Sequence, residues 1–401
     1  MSEAVYTTSP AISVPARKTA RLVHIDGARG YLLIAMFIAH FNFTHWTPVL
    51  KFHHGNFSAV WDGEFFVLLS GFVCALSYLR AFSKGGMLSC EMAILKRLRW
   101  VYLYQVVVAL SMLYLFLSAW PMKLDALYVP DQDTPLLLQT LQVLTFAKQP
   151  LYLNILILYM ALMLFIPVGL WLLEKKRTGL YLTILVTCWL VAAFGWDKAL
   201  TTWFHANVFD TRPYFALTGT FNPLSYAVIF YGGFYLGYLY KTEGWKRFKT
   251  SILPLSYPVF YAALAVSAVF AVAGLGQDLL GVPDWLVNPQ RATITVVGLI
   301  SLSVLSYLVY FLLNKNDLPR PLSWFGTALD AVLSFPPLVT VGRNSLFVYS
   351  GHVVAVFLAS YFIVSSGLEG NRPAILLVQF VTLGALMGAA ALKQRYLPAL
   401  P

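Results

Sequence analysis

The chain has 401 residues, 59% hydrophobic and only 11% charged, with a net charge of +11. A soluble domain carries roughly a quarter charged residues, so water is excluded as the main solvent. The positive charge falls in short clusters between apolar runs, which points to membrane topology and gives no reason to expect a nucleic-acid partner.

In chain order, residues 1–20 read as a flexible cytoplasmic tail without a cleavable signal peptide, and residues 21–396 as a single polytopic membrane domain. Ten segments have roughly the 20 mostly apolar residues that a bilayer crossing needs: 29–48, 60–81, 99–120, 151–173, 179–196, 222–240, 252–275, 292–313, 342–366 and 373–391. The expected fold is therefore an all-α integral membrane bundle of about ten transmembrane helices. With both termini in the cytoplasm, the outer side keeps only Lys51, Lys123, Lys148, Lys198, Arg212, Arg291 and Arg372 of the 28 basic residues. That asymmetry selects the N-in/C-in orientation. Segments 121–150 and 197–221 are the longest outer loops, and 314–341, with four prolines around an apolar stretch, reads as a short interfacial or re-entrant helix. Cys74 and Cys188 lie in apolar runs and Cys90 in a basic loop, so no disulfide framework is expected.

Ionisable groups inside spans are costly and are functional candidates. Arg29 and His40 are eleven residues apart, which brings them to within roughly 20° of one helix face and about 16 Å along its axis. Histidine is the usual general base near neutral pH, although packing and topogenesis account equally well for this pair. Glu64 lies about one turn into the second span, where it is placed to orient His40, and shares a face with Gly71 and Ala75, small enough for close helix approach. Asp62 is expected to mark the outer interface. Lys96, Arg97 and Arg99, beside Trp100, Tyr102 and Tyr104, suit the phosphates of coenzyme A, or simply hold the loop inside. Arg343 and Asn344 open the ninth span, with Ser345 beside them and His352 inside it, and all four are candidates for lining a cavity or for packing. His45, His53 and His54 lack an accompanying carboxylate or cysteine at metal-site spacing, so no metal is expected; His205 is left without a role.

These residues resemble the OpgC family, bacterial inner-membrane proteins that succinylate osmoregulated periplasmic glucans, and through it the wider acyltransferase family 3. The resemblance runs from Asp26-x-x-Arg29-Gly30 and Arg29-x10-His40, through Glu64 to Phe72 and Phe221-Asn222-Pro223-Leu224 with Gly232, Gly233 and Gly237, to Gly342-Arg343-Asn344-Ser345-Leu346. The chain departs from the wider pattern at Tyr226-Ala227, where relatives often have Trp-Gln, and at Gln105, where they have histidine. The resemblance implies an acyl-CoA-dependent O-acyltransferase in the inner membrane. Its donor substrate is succinyl-CoA, its acceptor a periplasmic glucan, its surroundings the lipid bilayer, and its possible neighbours the glucan-synthesis proteins, with no permanently bound cofactor. It also implies that His40 acts on the acceptor hydroxyl and Arg29 helps hold the donor, with Asn222 at the start of a cavity-lining span. Arg212 and Arg291 are the outer cations that could meet a succinyl carboxylate. A transporter or flippase of an acyl or glycan substrate, or a non-catalytic subunit, has the same topology.

Overall fold

The computed structural model describes residues 22–118, 135–146, 152–197, 199, 203, 221–276, 281–283, 292–314 and 318–397. Among them there are helices and no strand. The tail, most of both long loops, His205, Arg212 and Arg291 lie outside the described residues.

The helices in chain order are α1 (Val23–Thr44), α2 (Asp62–Ser118), α3 (Leu136–Leu144), α4 (Asn154–Leu164), α5 (Ile166–Glu174), α6 (Thr178–Ala193) and α7 (Pro223–Arg247). They continue with α8 (Tyr257–Leu275), α9 (Val296–Leu313), α10 (Arg320–Leu333), α11 (Pro336–Arg343), α12 (Ser345–Ser365) and α13 (Arg372–Tyr396). Each expected span is represented by helix. Yet by length and composition only six helices qualify as membrane-crossing, or seven if the pair α10–α11, bent by 54°, forms one span. That is fewer than the ten expected.

The difference has physical reasons. The stretch Asp62–Leu115 qualifies once although it contains two expected spans. At 54 residues it would be about 80 Å long if straight, far beyond the roughly 30 Å of a hydrocarbon core. It is broken at Gly85 and Gly86, and Gly86 takes φ +66°, a left-handed conformation open to glycine. α6 has only 16 residues. α1 is diluted by Asp26, Arg29, His40 and Asn42, and the uncharged part of α7, residues 223–240, by its tyrosines and glycines.

Close backbone approach sets the frame around the site. A Cβ on Gly71 of α2 would collide with the carbonyl oxygen of Phe230, and one on Gly233 of α7 with that of Leu68. The small-residue face expected on the second span therefore meets α7. Gly30 of α1 and Gly342 of α11 are equally tight: their added Cβ atoms would strike Leu338 and Asp26 backbone. Such contacts let dispersion and packing hold helices together where lipid removes the hydrophobic drive. Beside α1, α12 runs in the same direction: Arg29 meets Ser345, His40 meets His352 and Thr44 meets Ser360.

Candidate active site

α1 and α12 are cross-linked by polar side chains along most of their length. The periodicity explains why. Ser345 and His352 are seven residues apart, and Arg29 and His40 eleven, so each pair returns to about the same face of its helix. Two such faces in contact bring Arg29 to Ser345 and His40 to His352.

At one end, Arg29 Nη2 donates to Ser345 Oγ at 2.5 Å, and its guanidinium lies 5.6 Å from the centre of the Phe66 ring. Arg29 Nε is buried without a hydrogen-bond partner among the described residues. Nearby, Arg343 Nε reaches Asp26 Oδ2 at 3.4 Å. Asn344 is buried, donating to the Thr340 carbonyl at 2.9 Å and accepting from Lys393 Nζ at 3.0 Å. Lys96, Arg97 and Arg99 separate. Lys96 and Arg99 are exposed, whereas Arg97 is half-buried and its charge acts on Arg29 and Lys393. Arg97 of α2 is thus within electrostatic reach of Arg29 on α1 and of Lys393 on α13.

At the other end, His40 Nδ1 and His352 Nε2 are 2.8 Å apart. His40 stacks on Tyr152 with ring centres 3.6 Å apart and planes 15° from parallel. His352 is fully buried, and its Nδ1 is hydrogen-bonded to the Tyr349 carbonyl oxygen. A carbonyl only accepts, so His352 carries its proton on Nδ1 and presents the Nε2 lone pair. His40 must then donate from Nδ1, which leaves its Nε2 as the basic nitrogen. A backbone carbonyl thereby sets the tautomer of His352, and His352 sets that of His40. Such an orienting hydrogen bond is what a general base needs.

The hydrogen bonds described for Glu64 run elsewhere. Its Oε2 accepts from the Trp61 backbone N–H at 3.1 Å, in the manner of a capping box, and its Oε1 from Tyr226 O–H at 3.2 Å. The orienting partner described at Nδ1 of His40 is His352, which sequence reasoning placed only as cavity-lining. Tyr226, one of the departures from the wider pattern, is the residue that holds Glu64. Asn222 is the N-cap of α7: its Oδ1 accepts from Leu224 and Ser225 N–H, and its Nδ2 donates to Asp197 at 2.5 Å. Pro223 at the first helical position loses nothing by lacking an N–H. The amide oxygen of Asn222 thus builds the helix start, and its nitrogen ties that start to Asp197. Asp62 is 3% exposed and sits against His53 and His54 inside the protein.

Lys393 and Tyr152 are not singled out by the sequence; Lys393 counts there only among the basic residues of the inner side. Tyr152 has no periodic signal of its own, because it precedes α4.

The fold and this site define a multi-pass, all-helical membrane protein in which two parallel helices join a cationic region to a histidine pair, His352 buried and His40 half-buried. The chain belongs to the OpgC family: the family model described as OpgC protein matches residues 21–397. No curated protein and no solved structure matches.

Proposed function

We propose that the protein is an inner-membrane O-acyltransferase that moves a succinyl group from cytoplasmic succinyl-CoA to hydroxyls of osmoregulated periplasmic glucans. The observation that carries this reading is the His352-oriented His40, on the same helix as Arg29 and about 16 Å from it. Membership in the OpgC family supports the acyl and acceptor classes, and the motif likeness to acyltransferase family 3 supports the same chemistry.

With the termini in the cytoplasm, the Arg29 end faces inward. Arg29 and Arg97, with Lys393 close by, then offer charge and N–H donors to the coenzyme A phosphates. Lys96 and Arg99 add charge at the entrance. The pantetheine arm extends into the bundle toward His40. A glucan hydroxyl enters from the periplasmic side, through or beside segments that include Arg212 and Arg291, cations suited to a succinyl carboxylate. His40 Nε2 takes the hydroxyl proton as the oxygen attacks the thioester carbonyl. The C–S bond breaks, His40 returns the proton to the departing thiolate, and coenzyme A leaves inward. His352 accepts from the imidazolium at Nδ1, and Glu64 holds the neighbouring end of α2 in place through Tyr226.

The test is thiol release by purified protein in lipid nanodiscs, given succinyl-CoA and unmodified glucan. Glucan-dependent release with a matching gain of succinyl mass on the glucan supports the reading. Movement of glucan or donor across a vesicle membrane with no covalent change would replace it with a transporter.

A further inference from the structure

The segment between α1 and α2 folds back along α1. Tyr31 lies thirteen residues before the end of α1, about 20 Å along the axis, yet its hydroxyl is 3.2 Å from His54 Nδ1. Ala59 of the same segment donates its N–H to Ser301 Oγ on α9 at 3.2 Å, and Asn56 packs against Gly274 of α8. His53, His54 and Asp62 are thus enclosed by helices, and their nitrogen and oxygen atoms lie within 4.8 Å of one another.

The hydrogen bonds define what each atom offers. His53 Nδ1 accepts the Gly55 backbone N–H at 3.0 Å. Its proton is therefore on Nε2, which donates to Asp62 Oδ2 at 2.9 Å. His53 has no lone pair left for a ligand and serves to hold the carboxylate. The other carboxylate oxygen, Asp62 Oδ1, and His54 Nε2 are both buried without a hydrogen-bond partner among the described residues. They are 3.6 Å apart, too far for a hydrogen bond. The contact between Tyr31 and His54 Nδ1 allows either group to donate; with the proton on Nδ1, the Nε2 lone pair points at a carboxylate lone pair, and a cation held between the two removes their repulsion. Their separation is close to the edge of a tetrahedron around an ion with bonds of roughly 2.1 Å.

We propose that His54 Nε2 and Asp62 Oδ1 bind a divalent transition-metal ion of the zinc class, with water completing the shell. Imidazole nitrogen with one carboxylate oxygen favours such an ion over magnesium or calcium. The carboxylate that the spacing of His53 and His54 lacked comes from the first residue of α2. Tyr31 and His53 are the outer partners, one fixing the imidazole and the other the carboxylate. The ion ties α1, the folded-back segment and the start of α2 together, just ahead of Glu64.

The experiment is metal analysis of the full chain, purified in detergent through a tag without histidines, incubated with zinc and desalted. A parallel sample is titrated with cobalt(II) and followed by visible absorption. Wild type is expected to retain stoichiometric zinc and to show the absorption of tetrahedral cobalt. Asp62→Asn and His54→Ala are expected to lose both. Tyr31→Phe and His53→Ala, which spare the ligand atoms, are expected to weaken zinc binding roughly 10- to 100-fold. Because Asp62→Asn may fail to fold, only variants that elute as monodisperse protein are compared, and Tyr31→Phe carries the test if neither ligand variant does. Wild type that keeps no more zinc than protein treated with chelator overturns the proposal, as does a cobalt spectrum unchanged by the ligand variants or zinc affinity unchanged by Tyr31→Phe. Metal content is read without any acyl transfer, so either result stands apart from the enzymatic reading.

Discussion

The helix pairs α1–α12 and α8–α9 solve the same solvent problem in opposite ways. α8 and α9 contain no charged residue, and only 22% and 28% of their apolar windows are buried. They meet through aromatic packing, with Phe260 and Phe311 ring centres 4.5 Å apart. α1 carries Asp26, Arg29 and His40, and α12, with 56% of its window buried, carries His352. Removing ionisable groups from water is expensive, and membrane helices retain them where they are paired and used. The peripheral pair bears none of that cost. Stability and activity are therefore expected to respond to different helices.

Substitutions sharpen this contrast. The largest effect on turnover is expected from His40→Ala: loss of a general base lowers transfer by about 10²- to 10⁴-fold, with insertion and thermal midpoint unchanged. Thiol release in nanodiscs measures the first and a thermal-shift scan the second; a variant that loses activity only by losing its fold erases the contrast. Arg29→Ala is expected next. Removing hydrogen bonds to a charged ligand costs about 1.5–3 kcal/mol, which corresponds to a KM for succinyl-CoA raised roughly 10- to 100-fold. Arg29→Lys should recover only part of this, since a lysine lacks the planar fork. An unchanged KM in both variants would remove Arg29 from the donor site.

His352 gives a finer test. His352→Phe leaves the His40 Nδ1–H without its acceptor, a cost of about 1–3 kcal/mol. The kcat should fall by about 10-fold or more, with KM for the donor little changed. His352→Gln, whose amide oxygen can accept the same hydrogen, should restore part of the loss; equal losses in the two variants would argue for a packing role alone. The smallest effect on turnover is expected in the peripheral pair. Phe260→Ala removes a buried ring and is expected to cost about 3–5 kcal/mol of stability by analogy with soluble cores, while kcat and KM of the protein that remains folded stay near wild type. A drop in kcat/KM comparable to that of His352→Phe would break the division between the two regions.

Much of this division was legible in residue spacing. The eleven-residue interval from Arg29 to His40 correctly put both on one face, and the Gly71–Ala75 face meets the backbone of α7 as small residues allow. The His40–His352 contact required knowing which helices are neighbours, and residues 312 positions apart give no local signal of that. The number of helices that qualify by length and composition falls below ten where two helices join across the break at Gly85 and Gly86 and where polar residues dilute α1. His53 and His54 read as lacking a carboxylate partner, because hydropathy cannot show that the segment bearing them turns back along α1 and meets Asp62. The cap that Asn222 forms at the start of α7 is legible in Asn222-Pro223, whereas its bond to Asp197, 25 residues away, is not.

The most direct test of the enzymatic claim is mass spectrometry of periplasmic glucans from cells lacking the protein, complemented with wild type or with His40→Ala at equal membrane levels. Succinyl mass restored by wild type and absent with His40→Ala is the expected result. Equal restoration by both would contradict the role of the histidine pair, and restoration by neither would contradict the glucan assignment itself.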